Sequence, residues 1–217
     1  MIEDLRPWPF RIPATYPRSV AMFQVRIHGR GGQGVVTAAE MLSVAAFIEG
    51  RHAQAFPSFG SERTGAPVVA FCRIDERPIR LREPIVNPDA VIVQDPTLLR
   101  QIDCVSDLRP DGYLLVNSAK SVEELGLTEV AARLAPGRLV CVPATEIARE
   151  ALGRPLPNAV LLGGFAALSG VISLESLATA IRETFSGKVA EGNVAGAERA
   201  FTSVRDQIRR PVLAQAG

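Results

Sequence analysis

The feature that most constrains this chain is one stretch near its start. A short alternating run, Phe23-Gln24-Val25-Arg26-Ile27-His28, leads into Gly29-Arg30-Gly31-Gly32-Gln33-Gly34, and an Ala-rich helical pattern follows from Val35 to about Ile48. The order is strand, glycine turn, helix N-terminus. Four glycines within six residues let the backbone reach positive φ and let a ligand approach the main chain. The first-turn N–H groups of a helix have no intrahelical partner, and the macrodipole favours an anion above them. The turn is therefore expected to hold a phosphate-bearing ligand.

Gly29, Gly31 and Gly34 also fit the three glycine places of the dinucleotide fingerprint. That fingerprint expects an acidic residue at the end of the next strand, to hold a ribose hydroxyl. The next strand reads about Arg51 to Phe56 and runs into Pro57-Ser58-Phe59-Gly60, with no Asp or Glu. Glu49 precedes it and Glu62 follows well after. The nicotinamide version is disfavoured, while an empty tight turn stays open.

The remaining pattern alternates strands and helices. Apolar strands are expected at Val68 to Ile74, Ala90 to Gln94, Tyr113 to Asn117 and Arg138 to Val142. Pro78 to Arg82 alternates apolar and basic residues, so with Val68 to Ile74 it predicts an antiparallel hairpin. A short helix is expected at about Thr97 to Ile102. Ser121 with Glu124 is a capping-box start for another, and about Glu146 to Leu152 gives a third. From Pro157 onward only helices remain: Asn158 to Val171, one capped at Ser173, and one from about Lys188 to Arg209. The fold class is α/β, a Rossmann-like, mostly parallel sheet flanked by helices, with an inserted antiparallel hairpin and a helical C-terminal part. Asn158 is a candidate N-cap or ligand contact. Gly163 and Gly164 point to close helix packing.

Two units are expected. Residues 1–21 form a Pro-rich arm that carries the single Trp and is suited to packing on a partner subunit. Residues 22–217 form one α/β domain, a size that supports a substantial core. Net charge is +1, from 24 basic and 23 acidic residues, which excludes the basic excess of a nucleic-acid binder. The apolar run at Ala159 to Ile172 is short and broken by glycines, so no membrane span is expected. The N-terminus does not read as a signal peptide, and a cytoplasmic setting follows. Cys72, Cys104 and Cys141 form no C-x-x-C pair, and only His28 and His52 could join a metal site, so no metal is expected on this chain.

The chain shows no G-x-S-x-G elbow, no P-loop and no Ser/His/Asp set. An anion surface without a self-sufficient active site suggests a subunit that works with others. Gly29-Arg30-Gly31-Gly32-Gln33-Gly34-Val35 after a strand resembles the signature of the gamma subunits of 2-oxoacid:acceptor oxidoreductases, such as the pyruvate, ketoisovalerate and phenylglyoxylate enzymes. Ser58-Phe59-Gly60-Ser61-Glu62-Arg63-Thr64-Gly65-Ala66-Pro67, Asn158 with Leu161-Leu162-Gly163, and Asn193-Val194-Ala195 are similar to that family too. The likeness covers the chain from about Met22, not the arm.

The resemblance implies oxidative decarboxylation of a 2-oxo acid to an acyl-coenzyme A. Thiamine diphosphate, Mg and iron–sulfur clusters would sit in partner alpha, beta and delta-type subunits, with ferredoxin or another carrier receiving the electrons. It implies coenzyme A binding shared by this chain. The candidate contacts are Gly29, Arg30, Gly31, Gly32, Gln33, Gly34, Ser58, Phe59, Gly60, Glu62, Arg63 and Asn158, with Arg30 and Arg63 adding charge-assisted bonds to phosphate. No catalytic residue is expected on this chain. The alternatives are a nicotinamide-binding subunit and a purely structural one.

Overall fold

The computed structural model describes residues 22–58 and 64–214, with side chains to Arg209. The arm at 1–21 and the loop residues Phe59, Gly60, Ser61, Glu62 and Arg63 lie outside the described residues.

Six strands form one sheet among the described residues: β1 Phe23–Arg30, β2 His52–Pro57, β3 Pro67–Asp75, β4 Ala90–Val93, β5 Tyr113–Asn117 and β6 Leu139–Val142. Their spatial order is β2-β3-β1-β4-β5-β6. β1, β4, β5 and β6 run parallel, with Ile27 opposite Ile92 and Ile92 opposite Leu115. β3 runs antiparallel to both β1 and β2. β4 reads Ala-Val-Ile-Val because it is buried on both faces. Ala90 and Ile92 join the core under α1 Val35–Ile48 and α4 Asn158–Ser169, while Val91 and Val93 join a second core with Leu98, Leu108, Leu127 and Leu134.

The second core carries α2 Thr128–Arg133, and beyond β6 lie α3 Ala144–Leu152, α5 Leu174–Thr184 and α6 Gly187–Ala214. Ser173 caps α5 by accepting the Ser176 N–H at 3.0 Å, as its sequence suggests. α4 is buried along almost its whole length, against α6, α1 and the sheet. An ideal Cβ on Gly163 would stand 2.1 Å from the Ala197 carbonyl oxygen of α6, so only glycine permits this crossing. The small residues of α4 are thus spent inside this chain rather than on an assembly surface.

Two local expectations are corrected. Pro78–Arg82 is not a strand, and the antiparallel partners of β3 are β1 and β2. The reason lies in Arg73, which is 2% exposed: its guanidinium donates to the carbonyls of Leu81 (3.5 Å) and Glu83 (2.5 Å), and Pro78 and Pro84 offer no N–H to a ladder. Residues 76–88 instead form an irregular strap pinned by Arg73 and by buried Ile85. The Ser121–Glu124 capping box does form, with Glu124 accepting the Ser121 N–H at 2.8 Å, but Gly126 at φ 72° ends the turn at once and α2 begins later. The short helix expected after β4 is present as a 3₁₀ helix, Pro96–Arg100.

Candidate functional site

The glycine turn lies where β1 ends and α1 begins, at the carboxyl edge of the parallel strands. Gly32 and Gly34 take φ values of 92° and 71°, which side-chain-bearing residues rarely adopt. Gly34 is the N-cap of α1 and has no side chain to satisfy the first-turn donors; the first intrahelical bond runs from the Ala38 N–H to the Gly34 carbonyl. The N–H groups of Val35, Val36 and Thr37 are therefore left for an external acceptor, at the positive end of the α1 dipole.

A cavity of about 400 Å³ opens above them, lined among others by Arg30, Gly32, Gly34, Thr37, Thr64 and Val68. Its second wall is the chain that follows residues 59–63. The Gly31 N–H donates to the Ala66 carbonyl at 2.9 Å, and the Gly65 N–H donates to the Gly31 carbonyl at 3.1 Å. The segment from Ser58 to Pro67 thus meets the turn through Thr64, Gly65 and Ala66.

The side chains of the turn are engaged with one another. The Gln33 amide oxygen accepts the Arg30 backbone N–H at 2.8 Å, and its NH₂ donates to Asp95 at 3.1 Å. Arg30 donates through Nε to Asp95 (3.0 Å), and through its terminal nitrogens to the Gly65 carbonyl (3.0 Å), Thr97 (2.7 Å) and Gln101 (2.9 Å). These four bonds leave one of the five guanidinium donors for anything else. Burial works against the charged form of Asp95, but hydrogen bonds from Thr97 and Gln33 and the charge of Arg30 outweigh it and hold this carboxyl below its ordinary range. The cavity's attraction for an anion therefore comes chiefly from main-chain N–H groups.

Asn158 is not an N-cap. It is the first residue of α4, Pro157 holds the cap position, and no side-chain capping bond forms. Its amide is buried instead against the turn, within 2.6 Å of where a Cβ on Gly34 would stand. The N-termini of α1 and α4 thus converge. Gly29 is glycine for packing: a Cβ there would meet Val35 at 2.6 Å and Gln94 at 3.2 Å. Ser58 is exposed, and its N–H donates to the Val69 carbonyl, extending the β2–β3 ladder. The expected contacts at Phe59, Gly60, Glu62 and Arg63 fall outside the described residues.

Sequence reading missed Asp95. The dinucleotide fingerprint places its acid after the second strand, whereas this one follows β4, the parallel neighbour of β1. Its signal was present: an Asp after a four-residue apolar strand, followed by Pro in the first helical position. Also in β1, His28 is 4% exposed and, among the described residues, neither ring nitrogen has a hydrogen-bond partner; burial, with the Arg26 charge beside it, lowers its pKa to about 4. Burial pushes the Cys72 thiol up to about 12, and Cys104 and Cys141 up to about 11, far from reactive thiolates. Among the described residues no group of three or more His, Cys, Asp or Glu side chains could hold a metal, and no helix is long and apolar enough to cross a membrane.

Comparison with known proteins gives the family. The family model described as pyruvate ferredoxin/flavodoxin oxidoreductase matches residues 24–203. The chain is 51% identical over 180 residues to the pyruvate/ketoisovalerate oxidoreductases common subunit gamma of Pyrococcus abyssi, covering 83% of this chain and 96% of that protein. It is 53% identical over 161 residues to pyruvate synthase subunit PorC of Methanosarcina barkeri, covering 74% and 85%. The crystal structure of a pyruvate oxidoreductase subunit, PORC, from Thermotoga maritima superposes with a TM-score of 0.70 at 36% identity, covering 83% of this chain and 96% of that one. The chain, with its uncapped glycine turn, thus belongs to the gamma-subunit family of the 2-oxoacid:ferredoxin oxidoreductases.

Proposed function

We propose that this gamma subunit helps bind coenzyme A in a complex that oxidatively decarboxylates a 2-oxo acid to an acyl-coenzyme A. The observation that carries the reading is the uncapped N-terminus of α1, where left-handed Gly32 and Gly34 line a cavity of about 400 Å³. Donor chemistry fits a phosphate or pyrophosphate: parallel main-chain N–H groups, a helix dipole and no competing side-chain cap. The volume suits part of the ligand rather than all of it. Val35, Val36 and Thr37 would donate to a phosphate oxygen, and Thr64 would wall the opposite side. Arg63 and Glu62 remain candidate contacts. Coenzyme A would supply the thiol that accepts the acyl group. This chain's part is to hold and orient it.

Thiamine diphosphate, Mg and iron–sulfur clusters would belong to alpha, beta and delta-type partner subunits in a cytoplasmic complex, with ferredoxin or another carrier taking the electrons. Residues 1–21 would contact a partner, while 22–217 would form the single gamma-type domain.

Titration of the assembled complex with coenzyme A and with NADH tests the ligand. Coenzyme A should bind and NADH should not; preferential binding of NADH overturns the reading. Gly32→Val should weaken coenzyme A binding by about tenfold or more, since it fills open space at the cavity and forces a branched side chain into left-handed backbone. A complex that forms with this variant and keeps its coenzyme A affinity would contradict a ligand role for the turn.

A further inference from the structure

Asp95 lies outside the glycine turn and accepts four hydrogen bonds. One carboxylate oxygen accepts from Arg30 Nε (3.0 Å) and from the Gln33 amide (3.1 Å). The other accepts from the Thr97 backbone N–H (3.0 Å) and hydroxyl (2.5 Å). Asp95 thus joins the turn after β1 to the start of the 3₁₀ turn after β4. Through Arg30 the link extends to a third segment, the carbonyl of Gly65, next in the chain to Thr64, which lines the cavity. Through Gln33 it returns to the Arg30 backbone N–H, inside the turn itself. Asp95 does not line the cavity, and 14% side-chain exposure leaves it little contact with solvent.

We infer that Asp95 is a positioning residue for this site, fixing the glycine turn and its Gly65 wall in the ligand-accepting shape through Arg30 and Gln33 without touching the ligand. A turn with two left-handed glycines has many alternative conformations, because glycine pays the largest backbone entropy on ordering. Main-chain N–H groups hold a phosphate well only when already aimed at it. The ion pair and the two amide bonds select that arrangement. They also pair the Arg30 charge, so Arg30 acts as a strut rather than as the phosphate's counter-ion. Directional use of four guanidinium N–H groups makes Lys a poor replacement at position 30.

The inference rests on the coenzyme A reading, and the test separates the two. Asp95→Asn keeps the size of the side chain but removes its charge and replaces one acceptor oxygen by a donor. In the assembled enzyme it should raise KM for coenzyme A about tenfold, the scale of losing a charge-assisted bond, while kcat and KM for the 2-oxo acid change little. In the ligand-free complex, amide hydrogen exchange at Gly31, Gln33 and Gly65 should speed up, because their backbone bonds close the turn and its wall. Arg30→Gln combined with Asp95→Asn should be no worse than the poorer single variant, as expected for one coupled unit. A general loss of folding would instead lower kcat with the amount of folded enzyme and leave KM alone. Unchanged exchange at the three amides, or an unchanged KM for coenzyme A, overturns the positioning role. If coenzyme A fails to protect the turn in the wild-type complex, the ligand reading falls; faster exchange in Asp95→Asn would then still support the strut, and unchanged exchange would refute it.

Discussion

Gly163 and Gly164 are neighbours in α4, yet the structure assigns them opposite responses to the same change. A Cβ on Gly163 would stand 2.1 Å from the Ala197 carbonyl oxygen and 2.6 Å from its Cα and carbonyl carbon. Those are backbone atoms of α6, so no side-chain rotation relieves the clash. Reaching ordinary contact requires α4 and α6 to part by roughly 1 Å, and a close-packed interior resists this. Overpacking costs about 1–3 kcal/mol, with the upper end expected where backbone blocks backbone. Against this, Ala gains about 1 kcal/mol of helix propensity over Gly. The balance for Gly163→Ala is a loss of about 2 kcal/mol.

At Gly164 the nearest atoms are side-chain methyls of Val204 (3.3 Å), Leu115 (3.6 Å) and Val142 (3.7 Å). Small adjustments accommodate a methyl there, so the propensity gain should survive in large part. Gly164→Ala is expected between neutral and about 1 kcal/mol more stable. Equilibrium urea unfolding followed by circular dichroism reads both changes from the shift in midpoint at constant slope. A Gly163→Ala protein as stable as wild type, or two variants that shift together, would refute the account of the α4–α6 crossing.

Two further outcomes follow from buried groups. His28 is held neutral, with a folded pKa of about 4 against 6.5 for the free side chain. The unfolded chain therefore binds the extra proton first, and stability should fall as pH drops from 6.5 towards 4. The full effect is about 3 kcal/mol, so His28→Gln should show a flatter acid limb in unfolding measured across that window; an identical slope would contradict the assignment. Arg73→Met should free the strap at 76–88, since it removes the donors that hold the Leu81 and Glu83 carbonyls. Trypsin should then cut after Arg80 or Arg82 several-fold faster than in wild type, and equal cleavage rates would show that Ile85 alone secures the segment.

Much of this architecture was legible because its signals are local. The strand–glycine–helix order at Phe23 to Ile48, the doubly buried β4 and the Ser173 cap are each written in adjacent residues. Gly163 also read correctly as a packing residue, since an unforced glycine in a helix needs a reason. What failed depended on distant partners. Pro78–Arg82 alternates like a strand, but Arg73 from β3 takes its carbonyls. Asn158 looks like a cap, but the convergence of α4 on Gly34 makes it a packing group. Arg30 looks like a free cation at the turn, and only the position of β4 beside β1 reveals that Asp95 has claimed it. At the site, the glycine conformations and the helix start were legible in the sequence, and the side-chain pairings were not. Glycine conformation is intrinsic, whereas the pairing of charged groups is decided by topology.

In the proposed function, the N–H groups at the start of α1 hold a phosphate of coenzyme A. Hydrogen exchange of residues 32–37 in the assembled enzyme, with and without saturating coenzyme A, tests it most directly. First-turn amides without intrahelical partners should exchange fast in the free complex. Coenzyme A should slow Val35, Val36 and Thr37 by about tenfold or more, with desulfo-coenzyme A acting equally well because its phosphates are intact. Exchange at these amides that is the same with and without coenzyme A, in a complex that demonstrably binds it, would contradict the account.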